Sequence, residues 1–353
     1  MKKSIFHKQT LHEAIYATLL RELVSGKIPP GSPLPSRSEL EKRFAAGKET
    51  VKRVLKRLAL EGYIHPRSSR SALAARKLPM HHYTVAMPLI TDCPLDDFLQ
   101  YDQSPWGYLI FVAISQALLR KGHTMVLLDG KMHNAMLPAG IDGVICLRDD
   151  PFEWAVRYPD LPILTINPAE DRSCSAVMCD FSEAFTKVAV YMLSCGVKSI
   201  LLLGYNPQTR LRQLKYLKSA FIGTVLEHGI PESAIHWGPE YCVYERSEAV
   251  QAVDEFLQTS PELPLGVMTA GDLLAAGAVE AAIKHNLTVK KDFFVVGGTG
   301  LKEVETWSPA LSTVGTPFEE LGNKTADLLT EYIRSGVPPP SELVKCKFVK
   351  RDS

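Results

Sequence analysis

The chain of 353 residues is poor in cysteine, and the cysteines it has are scattered. No two of the seven form a Cys-x-x-Cys pair, so the spacing typical of zinc ligands and of redox motifs is absent. An odd number of scattered cysteines is typical of free thiols in a reducing compartment. We therefore expect a cytoplasmic protein whose cysteines behave as small apolar side chains.

Long apolar runs are also missing. No stretch reaches the roughly 18 consecutive apolar residues that span a bilayer, so we expect no membrane segment. The first residues, MKKSIFHKQTLHEA, have no apolar core and no small-residue cleavage site, which argues against a signal peptide. We see no internal repeat, and the length suits two or three domains.

Motifs of catalysis and of cofactor or metal binding are absent or weak. No nucleophile elbow occurs, and the adjacent carboxylates Asp96 and Asp97 have no acid–base geometry. Gly298-Thr299-Gly300 has two glycines of a dinucleotide-binding loop but not the third. Paired His81 and His82 lack further metal ligands at a suitable spacing and are expected to be solvated. We expect no enzyme activity, no cofactor and no metal.

Acidic residues are scarce at the start of the chain. Residues 1–77 contain 17 Lys and Arg against 6 Glu and no Asp, a net charge of +11, whereas the remaining residues carry a net charge of −10. A basic arm joined to an acidic body indicates a polyanionic partner for the arm alone.

The basic residues of this arm are concentrated on one predicted helix, residues 48–61. At 100° per residue its aliphatic side chains lie on one side and its basic side chains on the other. The apolar set is Val51, Val54, Leu55 and Leu58, and the polar set is Lys48, Thr50, Lys52, Arg53, Lys56 and Arg57. A second helix precedes it, with Ser36 and Glu39 spaced as a capping box. This pair is typical of a helix-turn-helix that enters the DNA major groove.

With a first helix at 10–25 and two short strands at 63–67 and 72–75, residues 1–75 are predicted to form a winged helix (α+β), here called the head. The segment resembles the GntR family of bacterial regulators through Leu34-Pro35-Ser36, Glu39-Leu40 and Thr50-Val51-Lys52. The resemblance implies binding of double-stranded DNA. We expect Lys48, Thr50 and Lys52 to approach bases. Phosphates are expected to meet Arg37, Arg53, Arg57, Arg67 and Arg70.

After a linker at 76–82, strands and helices alternate through residues 83–353, here called the body. The strands are expected at 83–89, 124–128, 143–147, 163–166, 199–203, 265–268 and 293–296. Such alternation predicts parallel doubly wound sheets with a ligand crevice at the carboxyl ends of the strands. These alternating strands and helices are too many for a single sheet. We therefore infer a two-lobed α/β body.

The body resembles the ligand-binding domain of the LacI family, which is periplasmic-binding-protein-like. The resemblance rests on TAGDLLAAGAVEA at 269–281, FFVVGGTG at 293–300 and LSTVGTPFEELG at 311–322. It implies three crossovers between the lobes, near 196, 312 and 340, and a small effector, most simply a sugar or sugar derivative, in the cleft.

Ligand-binding candidates follow from position and from this resemblance. Asp272 begins a helix directly after a strand, where it could cap the helix, accept hydrogen bonds from ligand hydroxyls, or do both. Trp106 and Tyr108, behind the predicted Ser104 cap, could stack on a sugar face or pack in the core. The resemblance to the LacI family implies an arginine that grips sugar hydroxyls, four residues before an aromatic residue in the helix at 212–222. Counting back from Phe221, this position is Leu217. This leaves Arg210 and Arg212, with Asp180, as further candidates.

These features together predict a ligand-responsive transcriptional regulator, most simply a homodimeric repressor of sugar-utilisation genes released from a palindromic operator by its effector. One alternative joins the head to a pyridoxal-phosphate aminotransferase-like body. In another, the body serves only for dimerisation of a DNA-binding protein.

Overall fold

The computed structural model describes residues 11–24, 26–67, 70–76, 82–89, 105–128, 137–147, 152–168, 174–208, 212–242 and 244–353. At Arg70, Pro105, Phe152, Glu153 and Arg212 the description covers the backbone alone. Within these ranges, no helix is long and apolar enough to cross a bilayer.

The head has the predicted three helices and two-stranded wing. Its elements are α1 (Leu11–Val24), α2 (Arg37–Phe44), α3 (Lys48–Leu60), β1 (Ile64–Arg67) and β2 (Arg70–Ala74). The wing strands pair antiparallel. Apolar residues at helical spacing on α1 and α3 meet in one core, which includes Ile15, Leu19, Leu23, Val51, Val54 and Leu58. For α3 the helical period predicted the buried residues Val51, Val54 and Leu58, because burial determines which side of the helix is apolar.

The body contains twelve strands and seven helices in its described residues. The strands are β3 (Thr84–Pro88), β4 (Thr124–Leu128), β5 (Gly143–Leu147), β6 (Ile163–Ile166), β7 (Ala176–Asp180), β8 (Ser199–Leu203), β9 (Ile235–Trp237), β10 (Leu265–Thr269), β11 (Phe293–Gly297), β12 (Ser312–Gly315), β13 (Glu342–Lys345) and β14 (Lys347–Val349). The helices are α4 (Pro105–Arg120), α5 (Phe152–Arg157), α6 (Ser182–Ser194), α7 (212–227), α8 (Arg246–Gln258), α9 (Asp272–Lys284) and α10 (Phe318–Ser335).

These strands form two six-stranded sheets. The first lobe has the order β13-β7-β6-β5-β3-β4 and is parallel throughout, while the second has the order β14-β12-β11-β10-β8-β9. In the second sheet only the edge strand β14 is antiparallel. Strands β5, β8, β10 and β11 are buried at every residue, as expected for parallel strands covered by helices on both faces. The fold is therefore a winged helix followed by two doubly wound lobes.

The chain passes between the lobes three times. It leaves the first lobe at Phe181, returns through residues 316–317, and crosses again at Cys346. The expected crossovers near 312 and 340 lie four to six residues before the observed ones. The one expected near 196 is wrong by about one helix. Helix α6 already packs against α7 of the second lobe, so the passage precedes α6 and not its end.

Candidate nucleic-acid interface and effector cleft

The turn between α2 and α3 sets the direction of α3. The predicted capping box at the start of α2 is present: Glu39 N donates to Ser36 Oγ (3.3 Å), and Ser36 N donates to Glu39 Oε2 (2.7 Å). Helix α2 ends at Ala45, whose left-handed backbone (φ 46°) lets its N–H reach the last carbonyl groups of the helix. Gly47 then begins α3 without a side-chain cap.

Helix α3 has one buried and one exposed face. Val51, Val54 and Leu58 are fully buried, and Leu55 is half-buried. The basic side chains on the opposite face are exposed: Lys48, Lys52, Arg53, Lys56 and Arg57. Thr50, at the start of the helix, is half-buried. The predicted division between a packing face and a charged face is therefore present.

One acidic side chain lies within this exposed basic face. Glu49 Oε1 is 3.6 Å from Lys52 Nζ, one turn along the helix. The Glu49 side chain is 75 % exposed and that of Lys52 is 58 % exposed. The pair thus presents a carboxylate and an ammonium side by side to the surroundings of α3.

Arg57 differs from the other basic residues of α3 because the head itself binds it. Its Nε donates to Glu61 Oε1 (2.9 Å), and its guanidinium carbon lies 3.8 Å from the centroid of the Tyr16 ring. The Tyr16 hydroxyl donates to the other Glu61 oxygen. Burial and this bond raise the pKa of Tyr16. Arg57 therefore joins α3 to α1, a role that its place in a basic pattern did not indicate.

The remaining arginines of the predicted interface flank α3. Arg37, the first residue of α2, and Arg67, at the end of β1, are exposed. Arg67 and Arg70 face each other across the wing as paired strand positions, although the side chain of Arg70 lies outside the described residues. The wing is held to the start of α2 by a bond from Leu34 N to Ala72 O (2.8 Å).

In the body, Asp272 lies beyond the carboxyl end of β10 but does not face open space. Its side chain is 0 % exposed. One oxygen, Oδ2, accepts from Gly300 N and Leu301 N, both at 2.7 Å. The other, Oδ1, accepts from Thr313 Oγ1 (2.5 Å) and from Thr299 N (3.5 Å). Burial raises the pKa of Asp272, while these four donated bonds oppose that rise.

The prediction that Asp272 contacts a ligand is therefore not supported by its geometry. Both oxygens are used by donors from the loop 299–301 and from β12, and no donor from a ligand can reach them without displacing these bonds. Asp272 instead holds the loop after β11 against β12. The helix-capping alternative is wrong, because the N-cap of α9 is Gly271 without a side-chain cap, and the donors to Asp272 lie 27 to 41 residues further along the chain.

The glycines of this loop have a structural explanation. A Cβ at Gly297 would lie 2.1 Å from Asp272 Oδ1, and one at Gly300, whose φ is +82°, would lie 2.5 Å from the Cα of Gly315. Neither position has room for a Cβ, and Gly300 also has the positive φ that glycine adopts freely. Gly297 and Gly300 therefore allow the contact between β11, β12 and α9.

Trp106 and Tyr108 lie in the first turns of α4, and both are half-buried. Trp106 packs against the core cluster that extends through both lobes. The two readings, stacking on a ligand and packing in the core, stay open for these aromatics. The predicted cap Ser104 and the pair Asp96 and Asp97 lie outside the described residues.

Asp180 lies where β7 ends and the chain first changes lobes. Its Oδ1 accepts from Ser182 N (2.9 Å) and from Ser182 Oγ (2.6 Å), which forms a turn directly before α6, whose N-cap is Phe181. Its Cα pairs with that of Lys345 on β13, next to the third crossover. Asp180 is therefore positioned at the junction of the lobes.

Helix α7 contains the position at which a pocket arginine was sought. Residues Leu217–Ile222 form a π-helical segment within it. Leu217 and Phe221, four residues apart, are both fully buried in the core cluster that extends through both lobes. Tyr216 lies 6.2 Å from Phe181 between ring centroids. Arg210, and the side chain of Arg212, lie outside the described residues.

The head packs directly on the first lobe. Helix α1 contacts α10, and Arg21 lies 3.9 Å from Glu331. The phenols of Tyr63 and Tyr83 hydrogen-bond each other, and Arg334 donates to Tyr83. Next to Tyr83, His82 contacts the Gly122 carbonyl (2.6 Å) and the Thr124 hydroxyl (3.1 Å), so this linker residue is docked and not simply solvated.

Comparison with known proteins gives two family matches. Residues 11–73 match the bacterial regulatory proteins of the gntR family, and residues 189–353 match the periplasmic binding protein-like domain.

Among curated proteins, the chain is similar to the HTH-type transcriptional repressor PurR of Yersinia pestis (strain Pestoides F). The two are 32 % identical over 269 residues, which cover 71 % of this chain and 76 % of that protein. It is also 25 % identical to the HTH-type transcriptional regulator MalR of Clostridium butyricum, over 60 % of this chain. The matched region spans only 64 % of MalR's own length.

Solved structures show the same fold. The transcriptional regulator CelR in complex with cellobiose aligns over 98 % of this chain and 99 % of its own, with a TM-score of 0.65 and 20 % identity. A LacI family transcriptional regulator from Enterococcus faecium with bound ribose aligns over 76 % of this chain and 98 % of its own. Its TM-score is 0.62 at 18 % identity.

Proposed function

The chain belongs to the family of helix-turn-helix transcriptional regulators that join a gntR-type head to a LacI-type, periplasmic-binding-protein-like effector body, and we propose that it represses sugar-utilisation genes as a homodimer. Membership makes it a DNA-binding regulator that responds to a ligand. The proposal adds that the regulated genes serve sugar utilisation, that the protein is a homodimer, and that it represses these genes until its effector releases it from the operator. The alternative of an aminotransferase-like body is not supported, because the body matches the periplasmic binding protein-like domain.

The exposed basic face of α3 carries the DNA-binding part of the proposal. One such helix per chain contacts too few bases for useful specificity, so two chains on a pseudo-palindromic operator are expected. Lys48, Thr50 and Lys52 lie at the start of α3, where a recognition helix reaches base edges. Phosphates would be met by Arg37, Arg53, Arg67 and Arg70, with Arg57 contributing only the donors that Glu61 leaves.

The effector is proposed to bind between the lobes, at the carboxyl ends of the parallel strands. CelR and the Enterococcus faecium regulator have cellobiose and ribose bound, which supports a sugar or sugar derivative. In this chain Trp106 and Tyr108 would offer aromatic faces and Asp180 a carboxylate at the junction of the lobes. Arg210 and Arg212 stay candidates. Asp272 would support the cleft from behind and would not contact the effector.

Helix α10 offers a path from the cleft to the head. It begins directly after the second crossover, packs along α4, and presents Glu331 and Arg334 to the head near its other end. Closure of the lobes would therefore move the surface on which the head rests. The effector can shift operator binding only by its different affinity for the open and closed forms.

The test combines footprinting with an effector screen on the full-length protein. Footprinting on DNA upstream of its own gene should show a pseudo-palindrome, and a thermal-shift screen of sugars should identify a compound that raises Tm. That compound should then weaken operator binding. An asymmetric site occupied by one protomer would contradict the dimer. Unchanged operator affinity with every stabilising sugar would favour the alternative in which the body only dimerises.

A further inference from the structure

Glu49 occupies an unusual position for a carboxylate. It is the one acidic residue among the thirteen of α3, and it lies in the first turn among exposed basic side chains. The helix dipole favours an acid in a first turn. On DNA, however, the same carboxylate would approach a surface of phosphates, where a negative charge is disfavoured. An acid at this place therefore needs a partner on the DNA that compensates for repulsion.

Stability of the head does not explain the contact between Glu49 and Lys52. Both side chains are mostly exposed, and their atoms are 3.6 Å apart. Exposed pairs of this kind contribute little to folding. The arrangement does, however, place an acceptor and a donor next to each other, at the end of α3 that enters the groove.

The edge of a C·G pair in the major groove has the complementary pattern. Cytosine presents the N4 amino donor, and the adjacent guanine presents O6 and N7 as acceptors. A carboxylate accepts from cytosine N4, and a lysine donates to guanine O6 and N7. An A·T pair also presents an amino donor beside an acceptor, but the thymine methyl group occupies the place where guanine offers its second acceptor. The Glu49–Lys52 pair therefore fits C·G better than A·T.

We propose that Glu49 and Lys52 together recognise one C·G base pair in each half-site. Glu49 accepts from the N4 amino group of the cytosine, and Lys52 donates to the guanine of the same pair. Glu49 thus determines specificity in addition to the basic residues of α3. This inference rests on the proposed docking of α3 in the major groove.

The experiment selects binding sites from random DNA with the full-length protein and with Glu49→Gln. The parent should select sites with C·G at one fixed position of each half-site. Glutamine pairs with adenine N6 and N7, so Glu49→Gln should lose the preference for cytosine or replace it by adenine at that position only. Affinity for the parental site should fall by roughly 5- to 150-fold, the range expected for one good base contact.

A double-mutant cycle sharpens the result. In the parent, changing the C·G pair to T·A should cost most of this affinity, whereas in Glu49→Gln the same base change should cost less than about threefold. Affinity for random DNA should not fall, because a negative charge has been removed. Glu183 is an exposed carboxylate of α6 whose Oε1 lies 2.7 Å from Lys187 Nζ, and Glu183→Gln serves as the matched control that should change neither quantity.

Two outcomes are distinguishable failures. If the parent selects no sequence at all, the proposed DNA docking of α3 fails, and this inference fails with it. If the parent selects a site and Glu49→Gln selects the same site with the same ratio of specific to random affinity, DNA docking stands and the role of Glu49 is overturned. Circular dichroism of Glu49→Gln should match the parent, because the side chain is exposed.

Discussion

In the head, the charged side chains of α3 extend into the surroundings with donors and acceptors to spare, whereas in the body Asp272 is enclosed and each of its oxygens has two donors. Both sets of residues were predicted as binding residues from sequence. The comparison teaches that charged side chains on an exposed face stay able to bind a partner molecule. A carboxylate at the end of a strand can instead have all its hydrogen bonds within the fold.

The sharpest way to break this comparison is to remove the Asp272 carboxylate. Asp272→Ala leaves the buried Leu301 N–H and the Thr313 hydroxyl without acceptors, and leaves Gly300 N with only Thr313 Oγ1, so the free energy of unfolding of the body should fall by about 3–4 kcal/mol. Asp272→Asn should cost about 2 kcal/mol, because its amide places a donor against these donors. Urea denaturation followed by circular dichroism measures both.

The control is Glu183→Gln, whose carboxylate is 61 % exposed and should matter by less than about 0.5 kcal/mol. If Asp272→Asn is as stable as the parent and loses only its effector response, Asp272 contacts the effector after all.

A second carboxylate shows that the head, too, encloses one charge. Glu22 accepts from Arg43 at 2.6 and 2.8 Å and from Lys27 at 2.7 Å, and these bonds hold its pKa at about 2. Because the folded-state pKa lies below the ordinary value of 4.5, this stabilisation is complete above about pH 4.5 and is lost as the pH falls towards 2. Glu22→Gln should lower head stability by about 2 kcal/mol at pH 7.

Thermal unfolding of parent and Glu22→Gln should therefore differ at pH 7 and converge near pH 2. Glu49→Gln, which removes the exposed carboxylate of the same domain, should stay within about 0.5 kcal/mol of the parent throughout. A constant difference for Glu22→Gln at all pH values would show that shape, and not charge, accounts for the loss.

The contact between the two regions gives a smaller effect. Arg334→Gln keeps a polar side chain but removes the cation next to Tyr83, the body residue whose phenol bonds to Tyr63 of the head, so the free energy of the contact between head and body should fall by about 1 kcal/mol. Operator affinity without effector should stay within about threefold, while the change on adding effector should shrink about fivefold. Lys187→Gln, at the exposed pair with Glu183 on α6, is the matched control and should leave the response unchanged. An unaltered response in Arg334→Gln would show that the head is coupled to the body by another route.

The smallest effect concerns a single phosphate contact. Arg53→Ala should weaken operator and random DNA about equally and reduce the slope of log affinity against log salt by about one. Fluorescence anisotropy at several salt concentrations measures this, with Lys187→Ala of the body as control. A changed base preference with an unchanged slope would place Arg53 at a base.

The parts of the fold that sequence could predict are those with a strong local signal. Strands such as Gly143–Leu147 and Ser199–Leu203 were predicted with the observed bounds because they are continuous apolar runs in buried parallel sheets. Five strands of the body were not predicted: Ala176–Asp180, Ile235–Trp237, Ser312–Gly315, Glu342–Lys345 and Lys347–Val349. The two of three residues carry too little pattern. The first crossover was misplaced because contacts, and not local sequence, decide which lobe a helix joins.

The residues of the candidate sites also divide into those that the sequence could predict and those that it could not. The buried and exposed faces of α3 could be predicted, because its apolar residues recur at the helical period. The partners of Asp272 could not be predicted, because they are backbone N–H groups and the Thr313 hydroxyl, which folding brings near from 27 to 41 residues away. The π-helical segment Leu217–Ile222 of α7 likewise has no signature in the sequence.

Cys346 alone separates β13 of one sheet from β14 of the other. Consecutive Cα atoms are about 3.8 Å apart, so the two sheet edges are tethered within about 8 Å at this point. The lobes can therefore rotate about this point, but they cannot move apart there. A pair of fluorophores on opposite lobes, attached far from Cys346, should therefore report a large change of distance on closure, whereas a pair beside it should report almost none.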